Sequence, residues 1–242
     1  MRRILIVLVI AVPLAAQTRP QPGSQDSISQ RIAELIEQRL VIVNDSETND
    51  YLNQIARNIS RKSNVFLPVV KLVKDDSVDT QAIEDVLYVN TGLIRKVENE
   101  AELAAAVANA MAGIVLRRGS TLPMVRLAGH VETTPLPPSG TIMSPPMLDA
   151  GRYLESDGDI QCLLYLEKAG YDPSGFVTLL KKVRVDEKSK KDPREKAYAA
   201  RSTTENRIAE AQKYIKKKLK PRPDYLVTTP EFTAMKARFE SQ

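Results

Sequence analysis

One segment constrains the fold of this chain more than any other. From Glu98 to Arg118 the residues read ENEAELAAAVANAMAGIVLRR, with Leu103, Val107, Met111 and Val115 on one stripe and Ala104, Ala108 and Ala112 beside it. Apolar residues recurring three and four apart mark a helix with a continuous buried face. Alanine along that face lets neighbouring elements approach closely, so this helix is expected at the centre of the molecule. Gly119 follows as a C-terminal stop.

Helical spacing recurs on both sides of it. Ile32, Leu35, Ile36 and Leu40 place a helix starting near Asp26 or Ser27, and Leu52, Ile55, Ala56 and Ile59 predict a second from about Glu47 to Lys62. Further helices are expected over about Leu148–Ala169, 173–184, Thr204–Leu219 and Pro230–Phe239, the last with Pro in its first turn. Gly170-Tyr171-Asp172-Pro173 is a turn between two of them, and Val185 to Arg194 reads as a charged connector. Only Phe66–Val73 and Val86–Val89 are β-rich. The acidic stretch Lys74–Asp85 reads as a loop between them, and the two strands are expected to pair antiparallel. The expected fold is α+β, mainly α-helical, with a small antiparallel sheet packed on the central helix. With 242 residues, 5% aromatics and no Trp, its core would be aliphatic and of single-domain size.

The N-terminus has the layout of a secretory signal. Arg2 and Arg3 precede the apolar run Ile4–Val12, Pro13 breaks it, and Leu14-Ala15-Ala16 offers small residues for cleavage. The run is shorter than the roughly 20 residues that span a bilayer; an uncleaved anchor is the competing reading. Residues 1–16 are thus read as a signal peptide, 17–25 as a polar linker and 26–242 as one domain, in a secreted or periplasmic protein. The sole cysteine, Cys162, lies in the apolar stretch Ile160–Leu164, where a buried inert thiol is expected.

Net charge is +5, concentrated in Lys213, Lys216, Lys217, Lys218, Lys220 and Arg222. Such a run is either a solvated helix end, whose cations favour the helix C-terminus, or a contact for an anionic surface. Without interleaved aromatics it does not suggest nucleic acid.

Tyr51 onward, Asn90-Thr91-Gly92-Leu93 leading into Glu98-Asn99-Glu100-Ala101-Glu102-Leu103, Glu155-Ser156-Asp157-Gly158-Asp159, Ala169-Gly170-Tyr171-Asp172-Pro173 and Ala199–Ile208 occur in this order. In order and spacing they resemble the HtpX/BepA-type zinc metallopeptidases (the M-forty-eight peptidases) over about residues 30 to 240. The resemblance implies a zincin-like scaffold, a zinc cofactor in active members and endopeptidase activity.

The chemistry does not carry over. An H-E-x-x-H helix presents two zinc ligands one turn apart with a general base between them. Here those positions are Asn109, Ala110, Met111, Ala112 and Gly113. The resemblance puts the third ligand at Asp157, one methylene shorter than the family's Glu, and a downstream His at Arg201. Asp159 and Arg207 match retained supporting positions. The family's Pro-Gly-Gly beside its peptide-binding edge falls on Ile83-Glu84-Asp85. Losing the base alone costs on the order of 10²–10⁴ in rate, and losing the metal removes the activated water. The expectation is an exported, catalytically inactive homologue without a bound metal, binding a peptide or envelope protein. The alternative is a zinc endopeptidase with a non-standard site. His130, the one histidine, reads as a solvated loop residue, and Asp157 and Asp159 as a helix-surface carboxylate pair.

Overall fold

The computed structural model describes residues 37–83, 85–119, 145–189 and 204–240, with only the backbone described at 119, 145–155 and 186–189. The expected signal segment, linker and first-helix start, together with His130, Arg201 and the Glu155 side chain, lie outside the described residues.

The first helix that the described residues give in full, α1 (Ser46–Ser63), starts where Asp45 accepts from the Thr48 amide at 3.0 Å and ends at Asn64, in the left-handed conformation with φ 54°. Its Leu52, Ile55, Ala56 and Ile59 face the core as the spacing predicts. Its Asn49 and Asn53 bind the helix to the sheet. They hydrogen-bond the backbone of strand β1 (Val69–Val73) at Val70 and Leu72, with distances of 3.0–3.1 Å. Residues 41–43 pair with the same edge, through Val43 N to Leu72 O at 2.9 Å and Lys74 N to Val41 O at 2.8 Å. One side of the sheet is thereby closed.

The sheet differs from expectation. Among the described residues it has three strands, in the order β1-β3-β2, with β2 at Thr80–Ile83 and β3 at Val86–Asn90. β2 and β3 form the antiparallel pair, and β1 and β3, expected to be antiparallel, run parallel. The cause is the short strand inside the acidic stretch. Two strands joined by a loop are naturally opposed, but a hidden third strand between them reverses the direction once more. Thr80-Gln81-Ala82-Ile83 carries too little hydrophobic signal among its acidic neighbours to reveal itself.

After β3 the chain enters a short helix absent from the sequence reading, α2 (Thr91–Lys96). Its glycine is obligatory. A Cβ on Gly92 would collide with the Asp76 carbonyl, while the Gly92 amide donates to Asp75 O at 2.7 Å and the Thr91 hydroxyl donates to the same oxygen at 2.9 Å.

Helix α3 (Glu100–Gly119) is the expected central helix. It packs against α4 (Pro145–Ala169), α5 (Ser174–Ser189), α1, β2 and β3. Ala104, Ala105, Ala108 and Ala112 are completely buried, which is how so many neighbours fit round one rod. Helix α5 continues into the expected connector, whose charged side chains are no obstacle to helix. Helices α6 (Thr204–Lys218) and α7 (Pro230–Glu240) complete the described chain. The protein is α+β and mainly helical with a small mixed sheet. No helix among the described residues is long and apolar enough to cross a membrane.

Candidate functional site

Two helix faces and one side chain from a third build the site. Helix α4 runs antiparallel to α3: the Cys162 thiol donates to Ala105 O at 3.5 Å, and three residues earlier Asp159 meets Asn109. Burial pushes the Cys162 thiol well above its ordinary pKa. It is the inert cysteine expected.

Asp159 is the centre of the cluster. Its Oδ2 accepts from Arg207 Nε at 2.9 Å, and its Oδ1 accepts from Arg207 Nη2 at 2.7 Å and from Asn109 Nδ2 at 3.3 Å. This is the fork-on-carboxylate geometry that makes guanidinium pairs strong and directional. Asp159 is only 7% exposed. A carboxylate taken so far from water needs such a partner, and removing one member of a buried pair costs about 3–5 kcal/mol. Arg207 also lies over the Phe176 ring, 6.0 Å from its centroid. Helices α3, α4, α5 and α6 therefore meet at one ion pair.

The remaining positions separate by environment. Met111 and Ala112 are buried in the core, Ala110 is packed against it, and Gly113 is half-buried. A Cβ at Gly113 would stand 3.2 Å from Nη1 of Arg117, one turn on. Arg117 folds back over the glycine and donates from Nη2 to Ala82 O, in edge strand β2, at 3.1 Å. Next to it Arg118 pairs with Asp85 and lies over the Phe66 ring at 3.7 Å. Asp157 is half-buried and is not joined to Asn109, Asp159 or Arg207 by a hydrogen bond. Among the basic residues of α6, Lys213 pairs with Glu210 at 3.1 Å, while Lys216, Lys217 and Lys218 are exposed, as is Lys220 just beyond the helix.

The sequence reading missed Arg117. A cation in the last turn of a helix is ordinary dipole complementarity, and only the bare backbone of Gly113 one turn earlier hints that it folds back.

Zinc needs several lone pairs converging on one point. Asn109 instead turns its amide hydrogens towards Asp159, and both oxygens of Asp159 are held by a guanidinium. A second guanidinium, that of Arg117, lies over Gly113. This donor set does not fit a zinc ion.

The start of α3 has a different character. Asn99 accepts from the Glu102 amide at 3.0 Å, and Glu102 accepts from the Glu98 amide at 2.8 Å, close to a capping box. Glu102 also pairs with Lys182 of α5 at 3.1 Å. Buried Glu100 accepts from Tyr171 Oη at 3.1 Å and from the Thr229 hydroxyl, and Tyr51 Oη lies 3.5 Å from Thr229 Oγ1. Burial, reinforced by the Glu100 charge, raises the pKa of both Tyr51 and Tyr171. Gly175 completes this knot, since a Cβ there would meet the Ala101 carbonyl at 2.7 Å. The Glu98–Leu103 run and the Gly170–Pro173 turn are thus parts of one structural joint.

No family model matches the chain, and no curated protein matches it in sequence.

Proposed function

We propose that this chain is an exported, catalytically silent relative of the HtpX/BepA-type zinc metallopeptidases that holds a peptide or envelope protein without cleaving it. The observation that carries the reading is the Asn109–Asp159–Arg207 cluster. It stands where the resemblance puts a metal ligand and its supporting carboxylate, and it is a set of donors and acceptors satisfied by one another. Arg117 adds to the support, because its charge lies over Gly113, where a second ligand would begin. Edge strand β2 packs on α3 and offers backbone for an extended peptide to pair with. Export rests on the charged and apolar pattern of residues 2–16. In this reading the protein carries no cofactor; zinc belongs to the active relatives.

Elemental analysis of the mature protein, after incubation with zinc and gel filtration, tests the metal side. The expected result is zinc far below one equivalent, unchanged by Asp157→Ala. One equivalent of zinc that disappears in that variant would overturn the reading in favour of an endopeptidase with a non-standard site. On the binding side, capture from the native compartment is expected to recover one defined polypeptide uncut.

A further inference from the structure

Helices α4 and α6 face each other with matched stripes. Ser156, Asp159, Ile160 and Leu163 recur at helical spacing on α4, and Arg207, Ala211, Tyr214 and Lys218 do so on α6. Between them lies a pocket of about 220 Å³. It shares only Asp159 and Arg207 with the cluster described above.

The pocket is graded from apolar to cationic. Leu163 and Ala211 are buried and form its depth, with half-buried Ile160 and Tyr214 continuing the wall. Lys213, Lys217 and Lys218 are exposed and stand at its mouth. Four cations line it against two carboxylates, Asp159 and Glu210. Both carboxylates are engaged, by Arg207 and Lys213. Neither Lys217 nor Lys218 pairs with a carboxylate among the described residues. The stripe on α4 extends over about 10 Å at 1.5 Å per residue, and the volume is below the ~300–1,000 Å³ of pockets that enclose drug-sized ligands. A slender apolar groove ending in uncompensated cations is complementary to one unbranched chain with an anionic head.

We propose that this groove binds a single-chain anionic amphiphile, its carboxylate or phosphate head at Lys217 and Lys218 and its tail along Ile160, Leu163, Ala211 and Tyr214. The chemistry is common to a free fatty acid and to the acyl end of an anionic lipid.

Calorimetric titration of the full chain with a homologous series of straight-chain alkanoates, each below its micelle concentration, tests it. Affinity is expected to rise roughly fourfold per added methylene until the groove is filled, and then to level off. Alkylammonium ions of equal length are expected to bind at least about tenfold more weakly. The double variant Lys217→Glu, Lys218→Glu, on exposed positions that leave folding intact, is expected to lose about tenfold in alkanoate affinity. Binding indifferent to chain length, or equal for the ammonium series, overturns the proposal. Vesicles separate the sources: alkanoate binding with none to anionic phospholipid vesicles assigns a free acid, and binding to both assigns a lipid. Binding to vesicles alone, with no monomer binding, overturns the groove and leaves a surface contact of α6.

Discussion

The two ends of helix α3 use their side chains differently. At its start, Asn99, Glu100, Ala101 and Glu102 each serve the architecture, through capping, a buried acceptor, close contact or an ion pair. Two turns on, Asn109 to Gly113, which the resemblance compares with an H-E-x-x-H motif, present an amide, two methyl groups, a methionine and a glycine. Under the proposed reading, residues that hold helices together remain necessary when chemistry stops. Residues that hold a metal become liabilities, because a buried carboxylate or imidazole cluster without its ion is charge or polarity left unpaired. Asp159 is the informative exception. It is buried, and the Arg207 guanidinium satisfies it.

The largest expected contrast between the two ends is with pH. Tyr51 and Tyr171, both at the Glu100 joint, have raised folded-state pKa values, with burial the main cause. A raised folded pKa means that the folded state holds its proton more tightly. The associated stability is therefore complete below the unfolded value near pH 10 and is lost as pH climbs towards the folded value. Each tyrosine contributes a slope of up to about 1.4 kcal/mol per pH unit. Chemical denaturation between pH 8 and 12 should show a fall that begins with the buried Cys162 thiol and steepens above about pH 10, and the steep part should be shallower in Tyr51→Phe.

The second contrast breaks the middle of α3. Asp159→Ala removes from a buried position the carboxylate that holds the Arg207 fork and should cost about 1.5–3 kcal/mol. Asp157→Ala, outside the cluster, should stay within about 0.5 kcal/mol. Urea unfolding of the two variants checks this. Equal losses would mean that the Asp159–Arg207 pair does not tie the helices together.

What could be read from the residues follows the same division. The helices α1, α3, α6 and α7 were legible because burial of one face imposes a period, and Leu52, Ile55, Ala56 and Ile59 show it plainly. The sheet was only half legible. Val69–Val73 and Val86–Asn90 announce themselves by β-branched residues, whereas Thr80–Ile83 is a strand through its pairing with β3, which no local pattern records. Missing it inverted the predicted direction of β1 against β3. At the site, aligning motifs brought Asn109, Asp159 and Arg207 into view together, and the distances join them. Arg117 and the groove between α4 and α6 stayed hidden for a geometric reason: one depends on a side chain folding back along its own helix, the other on two distant stripes meeting.

The smallest effects come from a pair of glycines, and here sign matters more than size. At Gly92 a methyl group would collide with the Asp76 backbone carbonyl, so Gly92→Ala should destabilise by about 1–3 kcal/mol. Gly113 lies further along α3, and a Cβ there would meet only the far end of the Arg117 side chain, at 3.2 Å. A guanidinium on a long stem moves aside by a few tenths of an ångström at little cost. Alanine is favoured over glycine within a helix by about 1 kcal/mol. Gly113→Ala should therefore leave the protein unchanged or stabilise it by up to about 1 kcal/mol, read as a shift in the urea midpoint at constant slope. A loss above about 1 kcal/mol would show that the bare backbone at 113 is still required, with Arg117 locked against Ala82 as firmly as Gly92 is against Asp76.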